Sequence, residues 1–166
     1  MNSTTILIIA AVFGGSFLMM IPIYIARGKK KKKVEKYKQD NTNKALLHVY
    51  GRALVVDGRR ISDIEHIRGN DLEYIVPLSA GKHTIEAKYE TTSIHWGKNV
   101  NFKMPKAISS EIEFEAGGEY TIAVYFYSPE ERREYYNGDV GESIYSETLD
   151  VSGGGYTKAY IICYKE

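Results

Sequence analysis

Four histidines, one cysteine and a comb of glutamates are the side chains whose types and spacing invite a chemical reading. His48, His66, His83 and His95 stand 12 or more residues apart, so no pair has the short spacing that seats two ligands on one helix or turn. Cys163 is the only cysteine, which rules out an intrachain disulfide and a cysteine-rich metal centre. Neither a metal nor a cofactor is expected. Glu111, Glu113 and Glu115 alternate with Ile112 and Phe114, which puts three carboxylates on one face of a strand. Catalysis by such a set needs one carboxyl in an apolar pocket with a raised pKa. Alternation instead predicts a solvated face whose like charges discourage edge-to-edge pairing. The chain carries no G-x-S-x-G, H-E-x-x-H, phosphate-binding loop or dinucleotide-binding glycine pattern. No catalytic residue is assigned, and the chain is not expected to be an enzyme. A site assembled only by the fold is the rival reading.

The residues best suited to holding a ligand are aromatic. His95 and Trp96, the sole tryptophan, lie in the longest irregular stretch, 91–105, with Tyr89 just before it. Aromatic rings with polar tips suit a surface that meets a glycan or a peptide, and loops commonly carry such sites. The opposing reading is that tyrosine, present 14 times, fills strand faces and a small core.

These side chains are placed by two unlike regions. Residues 5–26, TILIIAAVFGGSFLMMIPIYIA, contain no charged side chain and include eleven Ile, Leu, Phe or Val. As a helix the run spans roughly 33 Å, enough for a hydrocarbon core of about 30 Å. Residues 1–4 form a short uncharged lead, and the positive charge follows the run rather than preceding it, which predicts an uncleaved anchor. Arg27, Lys29, Lys30, Lys31, Lys32 and Lys33 come next, a block suited to anionic lipid headgroups. The positive-inside rule then sets the N-terminus outside and the C-terminal domain in the cytoplasm. Ala10 with Gly14, and Ala11 with Gly15, are small residues four apart that suit helix packing and a homodimer through the membrane. Residues 27–44 read as a polar basic juxtamembrane linker.

From residue 45 onward short apolar runs are separated by turn residues. Residues 39–166 hold 14 of the 22 basic and 20 of the 21 acidic side chains, so this part is acidic and unsuited to nucleic acid. Asp57-Gly58 predicts a two-residue hairpin turn. Ser62 to Glu65 fits a capping box for one helical turn. Residues 45–50, 53–56, 72–78, 83–90, 110–116, 120–127, 143–151 and 156–165 read as strands, and 120–127 is apolar on both faces and therefore central. Ser128-Pro129-Glu130-Glu131 predicts a short helix reaching Tyr136. The fold class expected is an N-terminal transmembrane helix plus an all-β domain over 45–166. That domain is expected to be a small antiparallel β-sandwich of seven or eight strands with one or two short helical turns.

Val56-Asp57-Gly58, followed by the stretch from Pro77 through Gly81, His83 and Ile85, resembles PEGA-type and related carboxypeptidase-regulatory-like bacterial β-sandwich domains. The resemblance covers about half of residues 45–127 and lacks the Gly-Tyr pair usual after that strand. It implies a compact, non-enzymatic module for attachment or binding, with a protein or glycan partner. Many such domains are extracytoplasmic, the alternative to the placement that the charges favour.

Overall fold

The computed structural model describes residues 26–50, 54–70, 72–87, 90–95, 98–103, 107–138, 141–150 and 158–166, with backbone alone for 90–95, 98–103 and 150. The chain divides into two compact units, 1–37 and 38–166. In the first, residues 26–37 belong to a helix, α1, that runs on to residue 40, and Arg27 and Lys29 to Lys33 are all exposed on it. A polar basic juxtamembrane linker was expected over 27–44. The helix forms because Lys, Glu and Gln have good helix propensity whether or not an apolar stripe is present. Among the described residues no helix is long and apolar enough to cross a membrane. The expected span, with Ala10, Ala11, Gly14 and Gly15, lies outside the described residues but for Ala26.

The second unit is the all-β domain. Its first half contains β1 (Ala45–Tyr50), β2 (Leu54–Val56), β3 (Arg59–Arg60), β4 (Ile67–Arg68), β5 (Glu73–Leu78) and β6 (Gly81–Ala87). Then come β7 (Glu90–His95), β8 (Lys98–Lys103), β9 (Ile108–Phe114), β10 (Glu119–Tyr125), helix α2 (Pro129–Tyr135), β11 (Glu142–Asp150) and β12 (Lys158–Lys165). A six-stranded sheet has the order β11-β12-β10-β1-β5-β4, a four-stranded sheet the order β3-β2-β6-β9, and β7 pairs with β8 alone. These twelve strands exceed the seven or eight expected because two pairs of residues, Arg59–Arg60 and Ile67–Arg68, add short edges. In addition, the stretch 91–105, expected as a long loop or irregular hairpin, forms the regular hairpin β7–β8. Thr91, Thr92, Ile94, Val100 and Phe102 give that stretch strand propensity.

The sheets are not wholly antiparallel as expected. β1 pairs with β10 in parallel, Leu46 opposite Glu119 and Val49 opposite Ile122. Direct hairpins cannot produce this pairing, so the chain must travel through the other sheet between the two strands. The core explains the arrangement: Leu47 and Val49 from β1 and Ile122 from β10 join Val56, Ile85 and Phe114 of the four-stranded sheet in one buried cluster. Each such side chain, fully buried, contributes about 1.5–3 kcal/mol. β10 is central, as its apolar character predicts. Pro77 is accommodated because β4 reaches only Tyr74 and Ile75, leaving the far end of β5 with β1 as its neighbour. The helical turn expected at Ser62–Glu65 is a single 3₁₀ turn over Ile61–Asp63, and no side chain caps it.

Candidate functional site

Three polar constellations form where strand register brings distant residues together. Asp57 and Gly58 have positive φ (50° and 72°) and close the two-residue turn between β2 and β3. One Asp57 oxygen accepts from the Thr84 backbone N–H at 2.9 Å, and the other lies 2.6 Å from His83 Nδ1. His83 Nε2 is 3.2 Å from Ser79 Oγ, giving the connectivity Asp–His–Ser of a hydrolytic triad. The same Nε2 also lies 2.9 Å from the Ser79 carbonyl oxygen. The tautomer protonated at Nε2 donates to that carbonyl and has no lone pair with which to activate the hydroxyl. Burial pushes the Asp57 carboxyl up, but the hydrogen bond from His83, that from Thr84 and the His83 charge together hold it below the ordinary 3.8. The cluster is a clasp between two turns.

The second constellation lies on the central strands. Tyr50 is opposite Glu73 across β1–β5, and Leu46 is opposite Glu119 across β1–β10, so His48 is the diagonal neighbour of both acids. His48 Nδ1 pairs closely with Glu73 Oε1, and Nε2 is 3.4 Å from Glu119 Oε2. Lys38 Nζ donates to the same Glu119 oxygen at 2.6 Å, and Tyr50 donates to Glu73 at 3.3 Å. His48 and Glu73 are 8% and 9% exposed, too enclosed to reach a substrate. Among the described residues no group of three or more acidic, histidine or cysteine side chains is arranged to hold a metal ion.

The third constellation joins the two large sheets at one side. Tyr145 donates to Glu147 and lies 2.6 Å from Ser110 Oγ, whose hydroxyl donates to the same carboxylate at 3.1 Å. Burial and the Glu147 bond push the Tyr145 phenol up to about 12, so it stays a neutral donor. Lys165 Nζ also donates across the sheets to Glu115, at 2.7 Å. Glu111, Glu113 and Glu115 are exposed, as their alternation predicts.

The accessible concavity is elsewhere, between α2 and the outer face of β11–β12. Ser128 caps α2 through the Glu131 backbone N–H, and the Glu131 carboxylate returns to the Ser128 N–H at 2.7 Å. Arg132 fastens the helix to the sheet: its guanidinium lies 4.7 Å from the Tyr125 ring centroid, 4.8 Å from Tyr164 and 5.2 Å from Tyr136. A groove of about 770 Å³ results. Glu130, Arg133, Glu134 and Asn137 line its helix side, and Ser143, Ser146, Thr148, Tyr160 and Tyr164 its sheet side. Register explains the sheet side: Ser143, Ser146 and Thr148 lie opposite Tyr164, Ile162 and Tyr160, on the face away from the core residues Leu149 and Ala159. Glu130 is held below its ordinary carboxyl range by hydrogen bonds to its own backbone and to Ser128. Tyr164 is 3% exposed, and its hydroxyl meets no hydrogen-bond partner among the described residues, a deficit that costs about 1–3 kcal/mol. Tyr127, Glu131, Tyr135 and Tyr136 line a second hollow of about 380 Å³ on the same helix.

Of the ligand-site residues expected from sequence, Tyr89 and Trp96 lie outside the described residues, and His95 ends β7 opposite Lys98. The groove residues were missed as a group. The one available signal was the α2 start, Ser128-Pro129-Glu130-Glu131; the hydroxyls of β11 show no pattern until β12 is paired beside them. No protein-family model, curated protein or solved structure matches this chain.

Proposed function

We propose that this chain is a single-pass membrane protein, anchored through residues 5–26, that presents a β-sandwich domain as a binding or scaffold module. The observation that carries the reading is the groove of α2 and β11–β12. It is the described concavity in which hydrogen-bonding side chains converge from two elements while remaining accessible. The histidine clusters support binding over catalysis, because His48 is buried beside Glu73 and both ring nitrogens of His83 face oxygens of Asp57 and Ser79. In this proposal the exposed Arg27 and Lys29 to Lys33 rest on anionic headgroups, each contributing about 1 kcal/mol near the surface, and the domain faces the cytoplasm. The PEGA-type likeness belongs to the same proposal. What supports it is that the two halves of the motif, Asp57 and the His83-Thr84 pair, bond to each other.

Two measurements test this reading. A reporter active only outside the cytoplasm, fused at Glu166, is expected to be silent; activity there reverses the orientation. A photo-crosslinking benzoyl-phenylalanine at Ser146, in the groove, is expected to give adducts in native membranes that the same probe at Glu113, on the opposite sheet, does not. Equal yields from both positions remove the groove from the proposal.

A further inference from the structure

We infer that the groove between α2 and β11–β12 takes a neutral oligosaccharide, held by side-chain hydrogen bonds and by the half-buried Tyr160 ring. The inference rests on the groove being the binding face. Its chemistry is the argument. The sheet side offers the hydroxyls of Ser143, Ser146, Thr148 and Tyr160, each able to donate and to accept. The helix side adds two carboxylates, one amide and one guanidinium, the groups that grip vicinal hydroxyls in pairs. The partly exposed Tyr160 ring and Pro129 provide the apolar patches on which the C–H face of a sugar can lie.

Other ligand classes fit less well. With Glu130 and Glu134 against Arg133, the lining carries a net negative charge and repels phosphates, nucleic acid and anionic lipid. An extended peptide added to the sheet needs the backbone edge of β11. The groove instead lies over the sheet's face, where Ser143, Ser146 and Thr148 present side chains.

The test uses the full chain in nanodiscs, with binding measured by calorimetry. Maltohexaose stands for a storage α-glucan, chitohexaose for a wall-type β-1,4 polymer, and hexagalacturonate for an anionic glycan of similar size. At least one neutral hexamer is expected to bind, hexagalacturonate at least tenfold more weakly. Glu134→Gln, a change at an exposed position, is expected to lower the affinity for that neutral hexamer at least tenfold. Glu113→Gln on the other sheet is expected to leave it unchanged. Which neutral hexamer binds identifies the source. Failure of both to bind, equal binding of hexagalacturonate, or indifference to Glu134→Gln overturns the inference. If neither sugar binds yet Ser146 cross-links above the Glu113 control, the groove stands as a binding face and the saccharide assignment alone falls. If both experiments fail, the two fall together.

Discussion

Asp57 holds two turns with one carboxylate, and its charge makes that hold depend on pH. Its partners lower its pKa below the ordinary 3.8. The stabilisation is therefore complete above the unfolded value and lost as pH falls through the folded one. The Asp57 side chain is 49% exposed, so solvent screening limits the effect to under about 1 kcal/mol. Asp57→Asn is expected to lower the urea midpoint at pH 7, and the gap from the parent should shrink as pH falls below the ordinary 3.8. A gap that persists unchanged in acid would show that the carboxylate charge is not what matters. Gly69 illustrates the same dependence on a single atom: a Cβ there would meet Glu73 Oε2 at 1.7 Å and push that carboxylate off His48. Neither residue's role is visible from its local sequence. The Asp57-Gly58 turn was legible, since its positive φ values are a local demand. The His48–Glu73 pair was not, because 25 residues separate its members and only the β1–β5 register joins them.

At the level of elements, α2 was the most legible piece, since its start is encoded by four consecutive residues. What the sequence could not show is how so short a helix, with no buried residue, stays on the sheet. The answer is Arg132 among Tyr125, Tyr136 and Tyr164, contacts worth about 0.5–1 kcal/mol each at exposed sites and more when desolvated. Arg132→Ala is expected to cost about 1–3 kcal/mol by that measure. Hydrogen exchange should show α2 amides losing protection while β1 and β5 amides keep theirs. Equal loss throughout the domain would assign Arg132 to the core rather than to the helix. β7–β8 is the opposite case: strand propensity in Thr91, Thr92 and Val100 stands against the turn signals of Trp96-Gly97 and two asparagines. Strand existence could be read from alternation. Strand order could not, since the parallel neighbours β1 and β10 share no local signal.

For the molecule as a whole, Cys163 is a probe of cooperativity. It is fully buried in the shared core, and burial pushes its thiol from an ordinary 9.0 up to about 12. A raised acid pKa favours the neutral folded form, so this contribution is complete below pH 9 and declines as pH rises toward 12. At pH 8 an aromatic disulfide reagent is expected to label Cys163 only as fast as the domain unfolds, and urea should accelerate labelling in step with loss of structure. Rapid labelling of the native protein would mean that the core opens locally at β12. The parallel seam has a further bearing, on biosynthesis. Leu46 and its neighbour Glu119 are 73 positions apart, so at about 5–20 residues per second a ribosome needs roughly 4–15 s to supply the second strand after the first. During that interval β1 has emerged without a permanent neighbour on one flank, and its Leu47 and Val49 must be kept from other nascent chains. A domain stitched this way is completed only after β10, β11 and β12 have followed the earlier strands.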